Sequence, residues 1–260
     1  YGPNGKLQDT VTYAQAVADP INGYLNIKTA YSEIHGLKKD EDGSGLAGAL
    51  VGLFRADCTE FMTENAILTA TSAEDGSFSF ARVPYGNWIV REIEAPTGFV
   101  LSEKTYPVTV DADGAVIEVE IENTRICGTV QLTKTDRDYP DNKLTGAEFT
   151  VYRDSNGNRE LDADDEQLGT LTEAGIGVYE MSDLLYGGYF VKETKAPEGF
   201  YLDDNAYYFE ITEDGKIVTV ENEAGKGFIN APQVGSLKII KTSSDGKVEG
   251  FSFRVTGPNG

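Results

Sequence analysis

Tyr85-Gly86-Asn87-Trp88-Ile89-Val90-Arg91-Glu92-Ile93-Glu94-Ala95-Pro96-Thr97-Gly98-Phe99 recurs as Tyr186-Gly187-Gly188-Tyr189-Phe190-Val191-Lys192-Glu193-Thr194-Lys195-Ala196-Pro197-Glu198-Gly199-Phe200, at an offset of 101. Each copy reads as a strand that runs into an Ala-Pro-x-Gly-aromatic turn. Working outward, Gly76, Phe78, Phe80 and Val83 map at the same offset onto Gly177, Tyr179, Met181 and Leu184, again with the two-residue period of a half-buried strand. Farther upstream, Leu46-Ala47-Gly48-Ala49 with Val51 and Leu53 corresponds to Leu144-Thr145-Gly146-Ala147 with Phe149 and Val151. It returns as Val248-Glu249-Gly250-Phe251 with Phe253 and Val255. A repeat of this kind means tandem small all-β units rather than one large core. Module one is placed at 33–126, module two at 127–233, and the first two strands of a truncated module three at 234–260. Residues 1–32 stand outside the repeat, and Thr10 to Ala18 reads as either a short helix or an extended tail.

Composition narrows the function. With 43 acidic against 22 basic residues the chain carries a formal charge of -21, which opposes nucleic-acid binding and direct contact with anionic membranes. No apolar run approaches the roughly 18 residues of a spanning helix. Neither a signal peptide nor an anchor is visible, so both ends read as cuts in a longer chain. One His and two Cys cannot build a zinc cluster or a disulfide framework. A Cys-His nucleophile would need His35 with Cys58 or Cys127, and nothing around them resembles a protease site. His35 reads as a strand-edge residue, Trp88 as core packing and the two cysteines as free thiols.

Three polar residues sit in an apolar register. In Val130-Gln131-Leu132-Thr133-Lys134, alternation puts Lys134 on the face of Val130 and Leu132. The same phase places Glu193 with Tyr189 and Val191, and Asn230 with Phe228. A lone buried charge costs several kcal/mol, so the three make sense if they meet. Module one supplies the same set as Lys38, Glu92 and Asn123. Burial lowers the pKa of an amine and raises that of a carboxyl. A neutral Lys amine can then attack the Asn amide carbon while a protonated Glu hydrogen-bonds the carbonyl oxygen and shuttles protons to departing ammonia. The product is a Lys-Asn isopeptide crosslink, with Glu92 and Glu193 as the catalytic acids. Asn222 rivals Asn230 as acceptor; the equal spacing of Asn123 to Gly128 and Asn230 to Gly235 favours Asn230.

These residues resemble the Cna B-type (SpaA-like) domains of Gram-positive surface proteins and pilins. Tyr189-x-Val191-x-Glu193-Thr194-x-Ala196-Pro197-x-Gly199-Phe200 is similar to the family's E-box, with Trp88 and Ile93 as departures in module one. Lys38-Lys39-Asp40 and Lys134-Thr135-Asp136 match its Lys-x-Asp start. The resemblance implies prealbumin-like, Ig-like β-sandwiches, autocatalytic intramolecular crosslinks and extracellular display on a cell wall. No pilin-type Tyr-Pro-Lys polymerisation motif is visible. The reading is a structural stalk segment that self-crosslinks once and is not an enzyme. It requires no cofactor, and its partners are adjacent domains of the same surface protein. The alternative is an adhesin module whose loops bind a host protein or carbohydrate, which a patch of exposed aromatics would favour.

Two features lie outside that set. The run Asp154-Ser155-Asn156-Gly157-Asn158-Arg159-Glu160-Leu161-Asp162-Ala163-Asp164-Asp165, present only in module two, has oxygen ligands spaced like an EF-hand-type calcium loop. Asp154, Asn156, Asn158, Glu160 and Asp165 are the candidate calcium (Ca2+) ligands, although Arg159 stands where glycine is expected. The plainer alternative is a solvated acidic loop. In the third module, Leu237, Ile239 and Lys241 repeat the inward Lys pattern with no Glu or Asn partner before Gly260.

Overall fold

In a computed structural model of the chain, which describes residues 15–18, 25–28 and 31–256, the regular structure is almost all strand. The first two, β1 (Gln15–Ala18) and β2 (Leu25–Lys28), pair antiparallel, so the extended alternative holds for 15–18. Residues 10–14 of that expectation lie outside the described residues.

Module one is a sandwich of β3 (Tyr31–Asp40), β4 (Leu50–Arg55), β5 (Leu68–Thr71), β6 (Ser77–Pro84), β7 (Gly86–Glu94), β8 (Tyr106–Val110) and β9 (Val116–Asn123). One sheet has the order β6-β3-β9, the other β5-β4-β7-β8. Alternation along each strand sends Ile34, Val51, Leu53, Phe80, Val90 and Ile121 into the space between the sheets. Each such side chain contributes about 1.5–3 kcal/mol by leaving water. Trp88 joins this core, its Nε1 donating to Pro84 O at 3.0 Å. His35 departs from expectation: β3 is the central strand of its sheet, so the ring lies on the solvent face of a mid-sheet strand beside Glu33.

Module two repeats the plan with β10 (Cys127–Asp136), β11 (Glu148–Arg153), β12 (Glu166–Thr170), β13 (Thr172–Gly175), β14 (Val178–Leu185), β15 (Gly187–Lys195), β16 (Ala206–Ile211), β17 (Ile217–Thr219) and β18 (Phe228–Asn230). Its sheets run β13-β14-β10-β17, with β18 also paired to β10, and β12-β11-β15-β16. Val130, Leu132, Phe149, Val191, Ile211 and Phe228 fill the interior. In both modules the first strand pairs in parallel with the last. That topology is what brings residues about 90 apart in sequence side by side, as Asp40 with Asn123 and Asp136 with Asn230.

The two modules are joined closely. Arg125 places its guanidinium on Asp40 (2.6 Å), Asp42 (2.8 Å) and Glu41 (3.0 Å). Ile126 N donates to Gly98 O at 2.8 Å, and Tyr186 N donates to Ile126 O at 2.9 Å, so the linker is bonded to a turn on either side. Cys58 and Cys127 are free thiols in different modules.

The two strands expected in 234–260 are not formed among the described residues 234–256. A strand needs neighbours for its N–H and C=O groups, and a two-stranded piece is marginal by itself. Val234, Leu237, Ile240, Phe253 and Val255 are exposed there. Lys241 Nζ lies 4.4 Å from the Phe251 ring centroid and donates to Thr242 O.

Candidate functional site

Each module buries a Lys-Glu-Asn cluster beside its apolar core. In module two Lys134 and Glu193 are fully buried and Asn230 is 3% exposed; in module one Lys38, Glu92 and Asn123 are buried to the same degree. Lys and Asn come from adjacent strands of one sheet, whereas Glu reaches across from the other. The parallel register puts Lys38 opposite Ile121 and Lys134 opposite Phe228, with the Asn two residues farther along. Side chains alternate, so Lys and Asn fall on the same inward face.

Local backbone sets the aim. Leu50 pairs with Glu94 but Val51 with Glu92, and likewise Glu148 with Lys195 but Phe149 with Glu193. The extra residue, Ile93 or Thr194, is a bulge directly after the acid, and bulges re-aim side chains. Two glycines bring the neighbouring turn onto the Lys backbone. Lys38 N donates to Gly76 O and Lys134 N to Gly177 O, each at 2.7 Å. Gly76 has φ +81, and a Cβ there would sit 2.0 Å from Lys38 O.

The contacts within each cluster are close. Lys134 Nζ lies 3.3 Å from Glu193 Oε1 and donates to Phe228 O at 3.1 Å; it also stands 4.9 Å from the Phe228 ring centroid. Asn230 Nδ2 donates to both Glu193 oxygens at 2.9 Å. In module one Lys38 Nζ is 3.2 Å from Glu92 Oε1 and donates to Asn123 Oδ1, while Asn123 Nδ2 donates to Glu92 at 2.9 and 3.0 Å. A backbone amide completes each acid: Ser102 N donates to Glu92 Oε2 at 2.8 Å and Asp203 N to Glu193 Oε2 at 2.9 Å.

Burial pushes the Lys134 amine down to about 8, only partly opposed by the charge of Glu193. Desolvation lowers Lys38 in the same direction. Among the described residues, Asn230 Oδ1 is the buried side-chain polar atom without a hydrogen-bond partner. Leaving such an atom unpaired costs about 1–3 kcal/mol. One detail differs from the sequence reading: each Glu faces the amide nitrogen of its Asn, not the carbonyl oxygen. In the crosslinking expected from the sequence, each acid would therefore act on the leaving nitrogen.

Asn222, the rival acceptor, is spent elsewhere: its Oδ1 accepts from Ile229 N, and its Nδ2 donates to Asp203 Oδ2 and to Ile229 O. In the acidic loop, Asp154 caps the amides of Gly157 and Arg159, and Asp165 those of Ser155 and Asp162. Asn156 and Asn158 turn their oxygens to the amides of Asn158 and Glu160, and both donate to Asp162. Asp162, not the side chain of Glu160, thus belongs to the gathered set; its position in the spacing was the available signal. Arg159 adopts φ 61, the left-handed conformation for which glycine is expected, and pairs with Glu210 at 2.6 Å. Among the described residues no group of three or more His, Cys, Asp or Glu is disposed to hold a metal. Likewise, no described helix is long and apolar enough to cross a membrane.

The family described as SpaA: Prealbumin-like fold domain matches residues 32–125 and again 128–224. The second match stops just short of β18 and Asn230. Among solved structures, the Bacillus anthracis TIE protein is similar at a TM-score of 0.62 and 25% identity, over 80% of this chain and 37% of that one. The chain thus corresponds to little more than a third of that relative. A Streptococcal ancillary pilin aligns at 20% identity and a TM-score of 0.37, over 80% of this chain and 65% of its own. GBS52, the minor pilin of Streptococcus agalactiae, aligns at 19% and 0.31, over 81% of this chain and 100% of its own. No curated protein matches the chain.

Proposed function

The chain belongs to the SpaA prealbumin-like fold domain family, and from that premise we propose that it is a stalk segment of a Gram-positive surface protein, stiffened by two self-made isopeptide bonds. The observation that carries this reading is the buried Lys-Glu-Asn cluster, in which Lys and Asn both contact Glu in each module. Each module would lock its first strand to its last, Lys38 to Asn123 and Lys134 to Asn230. Pulling force would then cross a module through covalent bonds instead of a ladder of hydrogen bonds.

The chemistry balances within the cluster. The lone pair of Lys Nζ forms a bond to Asn Cγ, and the Cγ–Nδ2 bond breaks with its electrons on nitrogen. Glu, touching Nδ2, gives that nitrogen a proton and takes one back from Nζ, so ammonia leaves and Glu ends as it began. Reactants gathered on one Glu in a buried core need little further ordering. This is one turnover per module and no catalysis on other molecules. Intact mass tests the reading: the chain should be lighter than its sequence by two ammonia molecules, and a mass equal to the sequence would sink it.

The same stalk reading gives the 154–165 loop a calcium ion as a stiffener. It is favoured by Asp154, Asn156, Asn158, Asp162 and Asp165 being gathered around one turn and by the conformation of Arg159. The residues fit only if Asn amide oxygens complete the set, because the acids alone do not form a cage.

A further inference from the structure

We propose that Asn222 is the positioning residue that seats Asn230 for crosslinking in module two, acting as a latch across a break in the acceptor strand. This inference rests on the crosslink reading above. In module one the acceptor strand is continuous: every residue from Val116 to Asn123 is registered in parallel against Glu33 to Asp40. In module two Thr219 pairs with Gln131, but the next pairing is Phe228 with Lys134. The donor strand advances three residues while the acceptor chain advances nine. The excess leaves the sheet and must return in register, since a slip of one residue would turn Asn230 away from the core.

Asn222 closes that excursion. Its side-chain amide imitates a neighbouring strand, accepting from Ile229 N at 2.7 Å and donating to Ile229 O at 2.9 Å. Ile229 is thus held on one edge by Thr135 of β10 and on the other by Asn222, directly before the acceptor. Asn222 N also donates to Gly227 O at 3.2 Å, pinning the base of the loop. The latch is tied to the acid as well. Asn222 Nδ2 donates to Asp203 Oδ2 at 2.8 Å, Tyr207 OH donates to the same oxygen at 2.7 Å, and Asp203 N is the amide that caps Glu193. Asn205 holds the other Asp203 oxygen through its backbone and side-chain nitrogens. One residue therefore fixes both the strand that carries Asn230 and the loop that holds Glu193. In module one Ser102 stands at the Asp203 position, with an unbroken β9 that needs no latch.

Timed cell-free synthesis of the full chain, read by intact mass and peptide mapping, tests this, with module one as internal control. Asn222→Asp sets two carboxylates against each other and removes the donor to Ile229 O. The second ammonia loss should slow about tenfold or more, the effect of losing a hydrogen bond to a charged partner, while Lys38–Asn123 forms at its usual rate. Adding Asp203→Asn restores a donor-acceptor pair with the roles exchanged and removes the repulsion, though not the donor to Ile229 O, so the rate should recover at least about threefold from that of Asn222→Asp without reaching the parent. A merely structural disturbance would be worsened, not rescued, by the second change. Asn230→Ala should abolish the second loss outright. The inference is overturned if Asn222→Asp crosslinks module two at the parent rate, if the exchange fails to rescue, or if Lys134 is recovered joined to residue 222. A parent chain that loses no ammonia in either module overturns the crosslink reading itself, and the latch with it.

Discussion

The two modules hold the same buried Lys, Glu and Asn by different means, and the comparison separates what the proposed chemistry requires from what each sandwich happens to supply. Common to both are a Lys on the first strand, an Asn two positions along its parallel neighbour, and a Glu aimed across the core by a bulge. The surroundings vary. Lys38 is opposite Ile121, whereas Lys134 lies against the rings of Phe228 and Phe149. Module one ends in a continuous strand followed by Arg125, whose side chain reaches Asp40; module two ends in a three-residue strand, although both close on the same bridge, Phe99 with Arg125 and Phe200 with Pro232. The shared geometry is therefore set by parallel register and the bulge, while the packing around it can be aliphatic or aromatic.

The largest effect expected from breaking this comparison is loss of the acid. Glu193→Ala should leave module two uncrosslinked and restore one ammonia to the mass; Glu92→Ala should do the same for module one only. General acid–base catalysis contributes about 10²–10⁴-fold, and here no outside reagent replaces it. If Glu193→Ala still crosslinks fully within the time of synthesis, the role of the acid is wrong. The uncrosslinked module should also be the first lost to protease or denaturant.

Next comes pH. The reactive form of Lys134 is the neutral amine, and burial brings its loss of a proton down to about 8. Below that value most of the amine is protonated and has no lone pair with which to attack. Crosslinking of module two should thus slow about tenfold per pH unit below 8 and level off above it. A rate that stays constant from pH 8 down to 6 would mean that the free amine does not limit the reaction.

A smaller change is expected at the junction. Arg125→Ala removes the guanidinium from Asp40, whose side chain is nearly buried. Asp40 keeps the amides of Asp42 and Ser44, so the module should still fold and crosslink. Its melting temperature, in a chain carrying Glu92→Ala, should fall by a few degrees, while that of module two stays put. Equal shifts in both modules would mean that Arg125 acts on the pair and not on β3.

The smallest effect is calcium. Millimolar calcium should raise the melting temperature of module two slightly, module one should not respond, and Asp154→Ala should erase the shift. No shift in the parent chain, or one that persists in Asp154→Ala, leaves a solvated acidic loop.

The sequence by itself determined the repeat, the all-β class and the inward phase of Lys38, Lys134, Glu92, Glu193, Asn123 and Asn230, because alternation along a strand is a local rule and each core strand carries it visibly. It favoured Asn230 over Asn222 by spacing alone, since each stands two residues after an apolar one, Phe228 and Val220; the parallel pairing with β10 is what brings Asn230 to Glu193 beside Lys134, and that pairing joins segments remote in sequence. Tertiary structure also decided that each Glu reaches its Asn across the core, because the bulge that aims it is a property of two paired strands, not one. It placed His35 in mid-sheet and moved the loop's acid from Glu160 to Asp162. And it left 234–256 without strands: alternation writes the preference for a strand into the chain, but the hydrogen-bonding partners that realise it are a tertiary fact.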